Sequence, residues 1–356
     1  MGGQVFAFLP LVDLSPAWIS ATMSPWHPGA ASWVYHREGV LIGRVEFRGL
    51  SALQLVDDAV RLTVIPEWGG KVAKIFDRRR KREWLFESRT LAYEHCRKWL
   101  PAYGGDYVGR FDVGGFDECF PTVGECVYPT KPWQGTELPD HGEVWSIPWG
   151  AQAEGECLRL VTHGVRLPYR LEKTVRLLGN GGIRFHYRAR NLTPFPMPFL
   201  WSSHPLLAVH PGMRLKLPVA AMRVCSAPSY PARHGDRVAW PRYGGLDLSR
   251  VPQADAGIAV KLFSPRLNEG WAELLDPADG ATFRFAFDPT LITHVGLWIN
   301  YGGWAGVPDA APYFNLGLEP CIGAPDRLDR AVRDWRTYGE LPPNGSRSWW
   351  FEIALA

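Results

Sequence analysis

The feature that most constrains the fold is a series of short runs in which apolar and polar residues alternate, separated by turn residues, from about residue 33 to the C-terminus. Residues 182–190 and Thr282–Phe287 are examples. A period of two is typical of strands with one buried face. Helical spacing occurs only at residues 328–335, after a start signal at Pro325 and Asp326. We therefore predict an all-β fold, a large and mostly antiparallel β-sandwich with very little helix.

The length of 356 residues and a hydrophobic content of 46% suit one large domain with a packed core. Because no internal repeat or linker divides residues 33–356, we predict that they form a single β-sandwich domain. Residues 1–32 are interpreted as a poorly defined N-terminal extension. The apolar stretch at residues 6–12 has no preceding Lys or Arg and is followed by Asp13, which argues against a signal peptide.

Charge, cysteine spacing and the absence of nucleotide motifs exclude several classes of function. The net charge of +3 gives no reason to expect a nucleic acid or membrane partner. The six cysteines are scattered without a C-x-x-C pair, which predicts reduced thiols and a cytoplasmic protein. A Rossmann fingerprint, a P-loop and a nucleophile elbow are all missing, so no cofactor is expected.

Three residues stand in settings suited to chemistry. Glu319 lies in the apolar segment N-L-G-L-E-P-C-I-G-A-P-D, and a carboxylate there is either a surface charge at a strand end or a base at the mouth of a pocket. His204, between Ser203 and Pro205, is either a general acid at a strand end or a core histidine. His141, in the sequence D-H-G-E, is either a ligand-binding imidazole or a turn residue.

A metal site is the competing interpretation of the same polar residues. Asp140, His141, Glu143, Asp117, Glu118 and His204 supply suitable ligand atoms, but they lack the regular spacing of a metal motif, so we predict no metal. A carboxylate and an imidazole on opposite sides of a pocket suit proton transfer instead. The carboxylate removes a proton from one hydroxyl while the imidazolium supplies one to another oxygen.

Four motifs occur in a recognisable order: G-G-F-D-E-C-F-P-T-V, L-P-D-H-G-E-V-W-S-I-P-W, W-S-S-H-P and G-L-E-P-C-I-G-A-P-D. Together they resemble the aldose 1-epimerase (galactose mutarotase-like) family, over about five-sixths of the chain. The resemblance implies a β-sandwich whose open concave face binds a monosaccharide, in a monomer or homodimer that needs no cofactor.

The resemblance also implies catalytic roles. Glu319 matches the general base that takes the proton of the anomeric hydroxyl. His204 matches the acid that protonates the ring oxygen, and His141 matches a second histidine that steadies the ring oxygen or nearby hydroxyls. Ring opening, rotation about the C1–C2 bond and reclosure then invert the anomeric carbon.

Departures from the family motifs bear on the substrate. Val113 and Trp145 occupy the places of two arginines that hold phosphate in the hexose-6-phosphate branch, so an unphosphorylated sugar is expected. Arg110 is a candidate replacement for the arginine of the galactose branch. Asp117 and Glu118 are each either a ligand of sugar hydroxyls or a buried structural acid.

The aromatic residues, including 17 Trp, supply candidates for a platform under the sugar. We consider Trp201, Trp298, Trp304 and the neighbouring Asn300, each with a core role as the alternative. Two other functions remain open. A non-catalytic carbohydrate-binding protein of the same fold would need no base, and a glycoside hydrolase or lyase would need differently paired groups.

Overall fold

The computed structural model describes residues 33–35, 39–89, 91–93, 100–253, 255–307 and 310–356, so the extension at residues 1–32 lies outside it. Twenty-seven strands lie in these ranges. The first fourteen are β1 (Trp33–Tyr35), β2 (Leu41–Phe47), β3 (Leu50–Val56), β4 (Val60–Ile65), β5 (Lys71–Asp77), β6 (Arg82–Glu83), β7 (Phe116–Cys119), β8 (Cys126–Val127), β9 (Glu137–Leu138), β10 (Gly150–Glu154), β11 (Cys157–His163), β12 (Tyr169–Gly179), β13 (Gly182–Asn191) and β14 (Met197–Phe199). The others are β15 (Trp201–Ala208), β16 (Arg214–Lys216), β17 (Ala221–Ser226), β18 (Arg237–Ala239), β19 (Arg242–Tyr243), β20 (Leu246–Asp247), β21 (Ile258–Phe263), β22 (Trp271–Leu275), β23 (Thr282–Phe287), β24 (His294–Tyr301), β25 (Phe314–Ile322), β26 (Gly339–Leu341) and β27 (Ser346–Leu355).

Two large sheets dominate the molecule. The first has thirteen strands in the order β1-β2-β3-β4-β5-β7-β15-β25-β24-β21-β17-β18, with β6 beside β5. The second has eight, in the order β10-β11-β12-β13-β27-β23-β22-β16. The strand pairs in both sheets are antiparallel. The prediction of an antiparallel all-β architecture is therefore confirmed.

The core lies between the inner faces of the two sheets. In β12 and β13 buried residues alternate with more exposed ones, because the outer face of the second sheet meets solvent. Phe116 of the first sheet packs against Phe185 and Phe351 of the second, with ring centroids 5.4 and 6.2 Å apart. These aromatic contacts between the two sheets make the structure a sandwich.

The centre of the first sheet is buried on both faces, unlike the second sheet. Nearly all residues of β15, β21, β24 and β25 are buried, so the alternation is lost there. His204 is the fourth residue of β15 and Glu319 the sixth of nine in β25, so the prediction that they lie at strand ends is wrong. A cover over the outer face is what hides these strands from solvent.

Part of that cover comes from a π-helical turn at Tyr107–Phe111, in which Tyr107 and Phe111 are buried. The strand β7, which follows it, belongs to the first sheet itself. Other helical segments are a 3-10 turn at Val144–Ser146, an α-helical turn at Leu328–Arg330 and a π-helical turn at Ala331–Trp335.

None of the described helices has the length and apolar character needed to cross a membrane. Five cysteines in the described ranges are free thiols, and Cys96 lies outside them.

Candidate functional site

A pocket opens on the covered outer face of the first sheet, above four adjacent central strands. Strand register sets its floor: Leu206 lies opposite Gly317, Gly317 opposite Trp298, and Trp298 opposite Lys261. Residues two positions along a strand share a face. His204 therefore joins Leu206 on the pocket side of β15.

His204 and Glu319 meet beneath this pocket. The Nε2 atom of His204 lies 3.7 Å from Oε1 of Glu319, and both side chains are almost completely buried. Within the described residues, neither Glu319 Oε1 nor His204 Nδ1 has a hydrogen-bond partner. His204 lines the pocket, whereas Glu319 is fully buried and is not among the described lining residues. Buried polar atoms in folded proteins nearly always have partners, so the unpaired Oε1 of Glu319, next to His204, is available to a ligand that reaches past the pocket lining.

Lys261 is a third member of this group and was not predicted. Its Nζ lies 2.5 Å from Oε2 of Glu319 and 3.6 Å from Oδ1 of Asp326. Burial disfavours the charge on Lys261, but the carboxylates of Asp326 and Glu319 outweigh burial and raise the pKa of the ammonium. Burial also raises the pKa of the Glu319 carboxyl, and the ammonium of Lys261 opposes that rise. Glu319 is thus a stronger base than an exposed glutamate.

Two glycines make space for the Glu319 carboxylate. A Cβ on Gly317 would lie 2.6 Å from Oε1 of Glu319, and one on Gly296 would lie 3.1 Å from Oε2. Gly296 is the cross-strand neighbour of Glu319, and Gly317 precedes it by two residues on the same face. A side chain at either position would displace the carboxylate, which explains why glycine stands in the G-L-E sequence.

His141 reaches the pocket from a tight turn with a left-handed backbone, φ 60°. Its ring stacks on Tyr107 with centroids 3.7 Å apart and stands perpendicular to the ring of His204, with centroids 5.0 Å apart. Its Nδ1 atom is 2.8 Å from Oδ2 of Asp140. Stacking and this contact fix the ring orientation, so the structure brings His141, His204 and Glu319 together.

The two histidines differ in protonation. Burial, the adjacent charge of His141 and the ammonium of Lys261 hold the pKa of His204 well below its usual value. Burial also works against a charge on His141, but the carboxylate of Asp140 outweighs it and raises the pKa of His141. Of the two histidines, His141 therefore holds a proton more readily than His204 does.

Three further carboxylates line the pocket: Asp112, Asp140 and Asp326. Asp112 is buried, and one of its oxygens, Oδ1, has no hydrogen-bond partner in the described part of the chain. Burial raises the pKa of Asp112 to about 6, although the ammonium of Lys71 opposes this. Together with Lys261, these acceptors suit the hydroxyl groups of a polyol. Among the described lining residues there is no arginine.

Asp117 and Glu118 point to opposite faces of β7 and are both engaged in ion pairs. Lys71 Nζ lies 2.5 Å from Oδ2 of Asp117. Lys173 Nζ lies 3.1 Å from Oε1 of Glu118. Neither acid lines the pocket. Of the two roles considered for Glu118, that of a buried structural acid is the one that fits its position. Across the residues that the structure describes, no three His, Cys, Asp or Glu side chains converge as metal ligands.

The structure separates the aromatic and amide candidates. Trp298 and Trp304 line the pocket and meet edge to face, with centroids 5.4 Å apart. Trp201 is fully buried in the core and donates a hydrogen bond to Glu118, so it cannot serve as a sugar platform. Asn300 is also fully buried. Its amide bonds the backbone of Trp304 at 2.9 and 3.2 Å, which holds that indole in place.

Arg110 is exposed on the π-helical turn and does not line the pocket, so the expectation that it binds the sugar is not met. Its neighbour Tyr107, three residues earlier, lines the pocket instead.

Four pocket residues were not predicted from the sequence: Lys261, Asp112, Asp326 and Tyr107. For Lys261 a signal existed, since a single lysine interrupts the apolar strand I-A-V-K-L-F.

Comparison with solved structures identifies the fold. A galactose mutarotase-like protein from Lactobacillus casei superposes with a TM-score of 0.61 at 17% identity, over 86% of this chain and 100% of that one. Another from Clostridium acetobutylicum gives 0.65 at 13% identity, over 90% and 99%. The Slr1438 protein from Synechocystis gives 0.63 at 21% identity, over 86% and 95%. The chain therefore has the galactose mutarotase-like fold, as its motifs predicted. No family model matches the chain, and no curated protein matches it.

Proposed function

We propose that this protein is an aldose 1-epimerase that interconverts the α and β anomers of an unphosphorylated aldose, within a single domain spanning residues 33–356. The observation that carries the proposal is the buried pair of Glu319 and His204, 3.7 Å apart, each with an unpaired polar atom, of which His204 lines the pocket. An acid and a base held on one substrate are what ring opening requires.

In the proposed reaction, Glu319 removes the proton from the anomeric hydroxyl, and the C1–O1 bond becomes a carbonyl. The C1–O5 bond breaks as the ring oxygen takes a proton from the His141–His204 pair. Rotation about C1–C2 then presents the other face of the aldehyde, and the C5 oxygen closes on it. The ring oxygen returns its proton to the histidines and Glu319 returns its proton to O1, so the protein ends unchanged.

The proposed route for the acid differs from the one that the sequence resemblance implies. Because the pKa of His204 is depressed and that of His141 is raised, we assign the resting proton to His141. Their rings are 5.0 Å apart and perpendicular, and both line the pocket, so His141 is placed to pass its proton through or beside His204 to a bound sugar. The pair then titrates as one unit.

The pocket lining supports a neutral sugar. Asp112, Asp140 and Asp326 offer acceptors for hydroxyl groups, while the described lining contains no guanidinium to bind phosphate. Trp298 and Trp304 offer indole surface for the C–H face of a pyranose ring.

Polarimetry of freshly dissolved α-glucose or α-galactose tests the proposal. The wild-type protein should speed the decay of rotation, and Glu319→Gln and His204→Asn should return it close to the uncatalysed rate. Sugar binding without any acceleration by the wild type, across a panel of aldoses, would reject catalysis and support a carbohydrate-binding protein.

A further inference from the structure

A second cavity, which shares no lining residue with the sugar pocket, is rich in arginine. Arg223, Arg237 and Arg266 line it together with Trp335 and His294. Its volume of about 470 Å³ falls in the range of small-molecule sites. No Asp or Glu is among its described lining residues.

Two of these arginines are placed directly opposite each other. Arg223 of β17 and Arg237 of β18 form a cross-strand pair in register, and both are exposed on the same face. Like charges directly opposite each other destabilise a strand pair. Neither has an ion-pair partner among the described residues, so an external anion is the group that would offset this repulsion.

The Arg223 guanidinium is also held in position. Its carbon lies 3.9 Å from the ring centroid of Trp335, and its Nε donates to the carbonyl of Gly235 at 3.4 Å. A guanidinium stacked on an indole keeps its in-plane N–H groups available for an oxyanion. Such ordering lowers the entropy lost when an anion binds.

Excess positive charge acts on neighbouring groups as well. Burial lowers the pKa of His294 to about 4, and the charge of Arg266 adds to that effect. Burial and Arg266 likewise lower the pKa of Arg347. The charge of Arg266 therefore reaches these two neighbours, and no carboxylate lies among the described lining residues of the cavity.

We propose that this arginine cavity is a binding site for a phosphate-type oxyanion, independent of the proposed anomer interconversion. It is separate from the sugar pocket, and the buried ring of Phe263 is near both: its centroid is 5.4 Å from Nζ of Lys261 and 6.3 Å from the ring centroid of Trp335. The anion is either a free phosphate or the phosphate group of a larger molecule.

Isothermal titration of the full chain with inorganic phosphate tests the site. The wild type should bind one phosphate saturably, and the double variant Arg237→Ser/Arg266→Ser should lose at least tenfold in affinity. Arg242→Ser, at an exposed arginine outside the cavity, serves as the control and should stay within twofold. Phosphate should also raise the melting temperature of the wild type but not of the double variant. Absence of saturable binding, or equal binding by wild type and double variant, would overturn the proposal.

A hexose 6-phosphate distinguishes the two sources of the anion. If the anion belongs to a larger ligand, the hexose phosphate should bind at least tenfold more tightly than phosphate. If the anion is free, the two affinities should agree within twofold. Both results require the arginines and support the cavity as an oxyanion site.

Discussion

Two buried lysine–glutamate pairs in this molecule have the same chemistry and different surroundings. Lys173 and Glu118 lie in the core between the sheets, where the carboxylate also accepts hydrogen bonds from Tyr187 at 2.7 Å and Trp201 at 3.1 Å. Lys173 in turn donates to the carbonyl of Gly70 at 2.7 Å. Every polar atom of this cluster that the structure describes has a partner within the protein.

The pair of Lys261 and Glu319 is buried as deeply but is incompletely satisfied. Oε1 of Glu319 lacks a hydrogen bond within the described residues, and so does Oδ1 of Asp326 beside the ammonium. A fully satisfied polar cluster contributes to the uniqueness of a core, whereas unpaired atoms next to a cavity are available to a ligand. Burial of an ion pair therefore does not by itself indicate function, whereas unpaired polar atoms next to a cavity do.

Exchange of each carboxylate for an amide should separate catalysis from stability. We expect Glu319→Gln to lower kcat for mutarotation about 10³-fold, because general-base catalysis is worth about 10²–10⁴. Glu118→Gln should keep its activity per folded molecule. Polarimetry on both variants, normalised to the folded fraction, measures this, and equal loss of activity in the two would contradict the comparison.

Stability should show the reverse order. Glu118→Gln leaves the Lys173 ammonium buried without a counter-ion, which costs about 3–5 kcal/mol in the free energy of unfolding. Glu319→Gln should cost less, because Asp326 remains 3.6 Å from Lys261. Urea titration monitored by tryptophan fluorescence reports the difference. Glu172→Gln, in a partly exposed pair with Arg159, is the control and should cost about 1 kcal/mol or less.

Asp112 offers a pH-dependent test of the pocket. Its raised pKa of about 6 means that the folded state binds the proton more tightly than the unfolded state. The stabilisation that protonated Asp112 contributes is fully present below pH 4 and is lost as the pH rises through 6. At pH 7.5, Asp112→Asn should therefore have a higher free energy of unfolding than the wild type, by up to about 3 kcal/mol. Near pH 4 the two free energies, measured by urea titration, should converge. Parallel pH curves would refute this.

The smallest expected effect is a shift in the pH profile. Lys261 opposes the burial-driven rise in the pKa of Glu319, so Lys261→Met should raise that pKa further. The acid limb of the plot of kcat against pH should then shift to higher pH by about 1–3 units. Lys216→Met, which removes an exposed partner of Glu273, should leave the profile unchanged. An unmoved acid limb in Lys261→Met would show that the ammonium does not tune the base.

The sequence predicted the strands well wherever one face meets solvent. Residues 182–190 and Thr282–Phe287 alternate clearly, and the strands lie there within one residue. In β15 and β25 both faces are covered, so the alternation disappears and the positions of His204 and Glu319 within their strands could not be read from a period of two.

The site itself was predictable only in part, for a physical reason. Motif residues such as His141 carry a local signal, but the pairing of Lys261 with Glu319 depends on strand β24 lying between β21 and β25. Local pattern contains no information on that order. Trp201 and Asn300 were predicted as site residues and are not. Trp201 packs in the core and bonds Glu118, and Asn300 holds the turn at Trp304.

The row of residues across β15, β25, β24 and β21 has a consequence for folding. His141, His204, Lys261 and Glu319 are far apart along the chain, and they meet only after loops of tens of residues have closed. Contacts of such long sequence separation form slowly and late. Recovery of activity during refolding should thus follow completion of the whole central sheet, and half-chain fragments should be inert even where each contains intact strands.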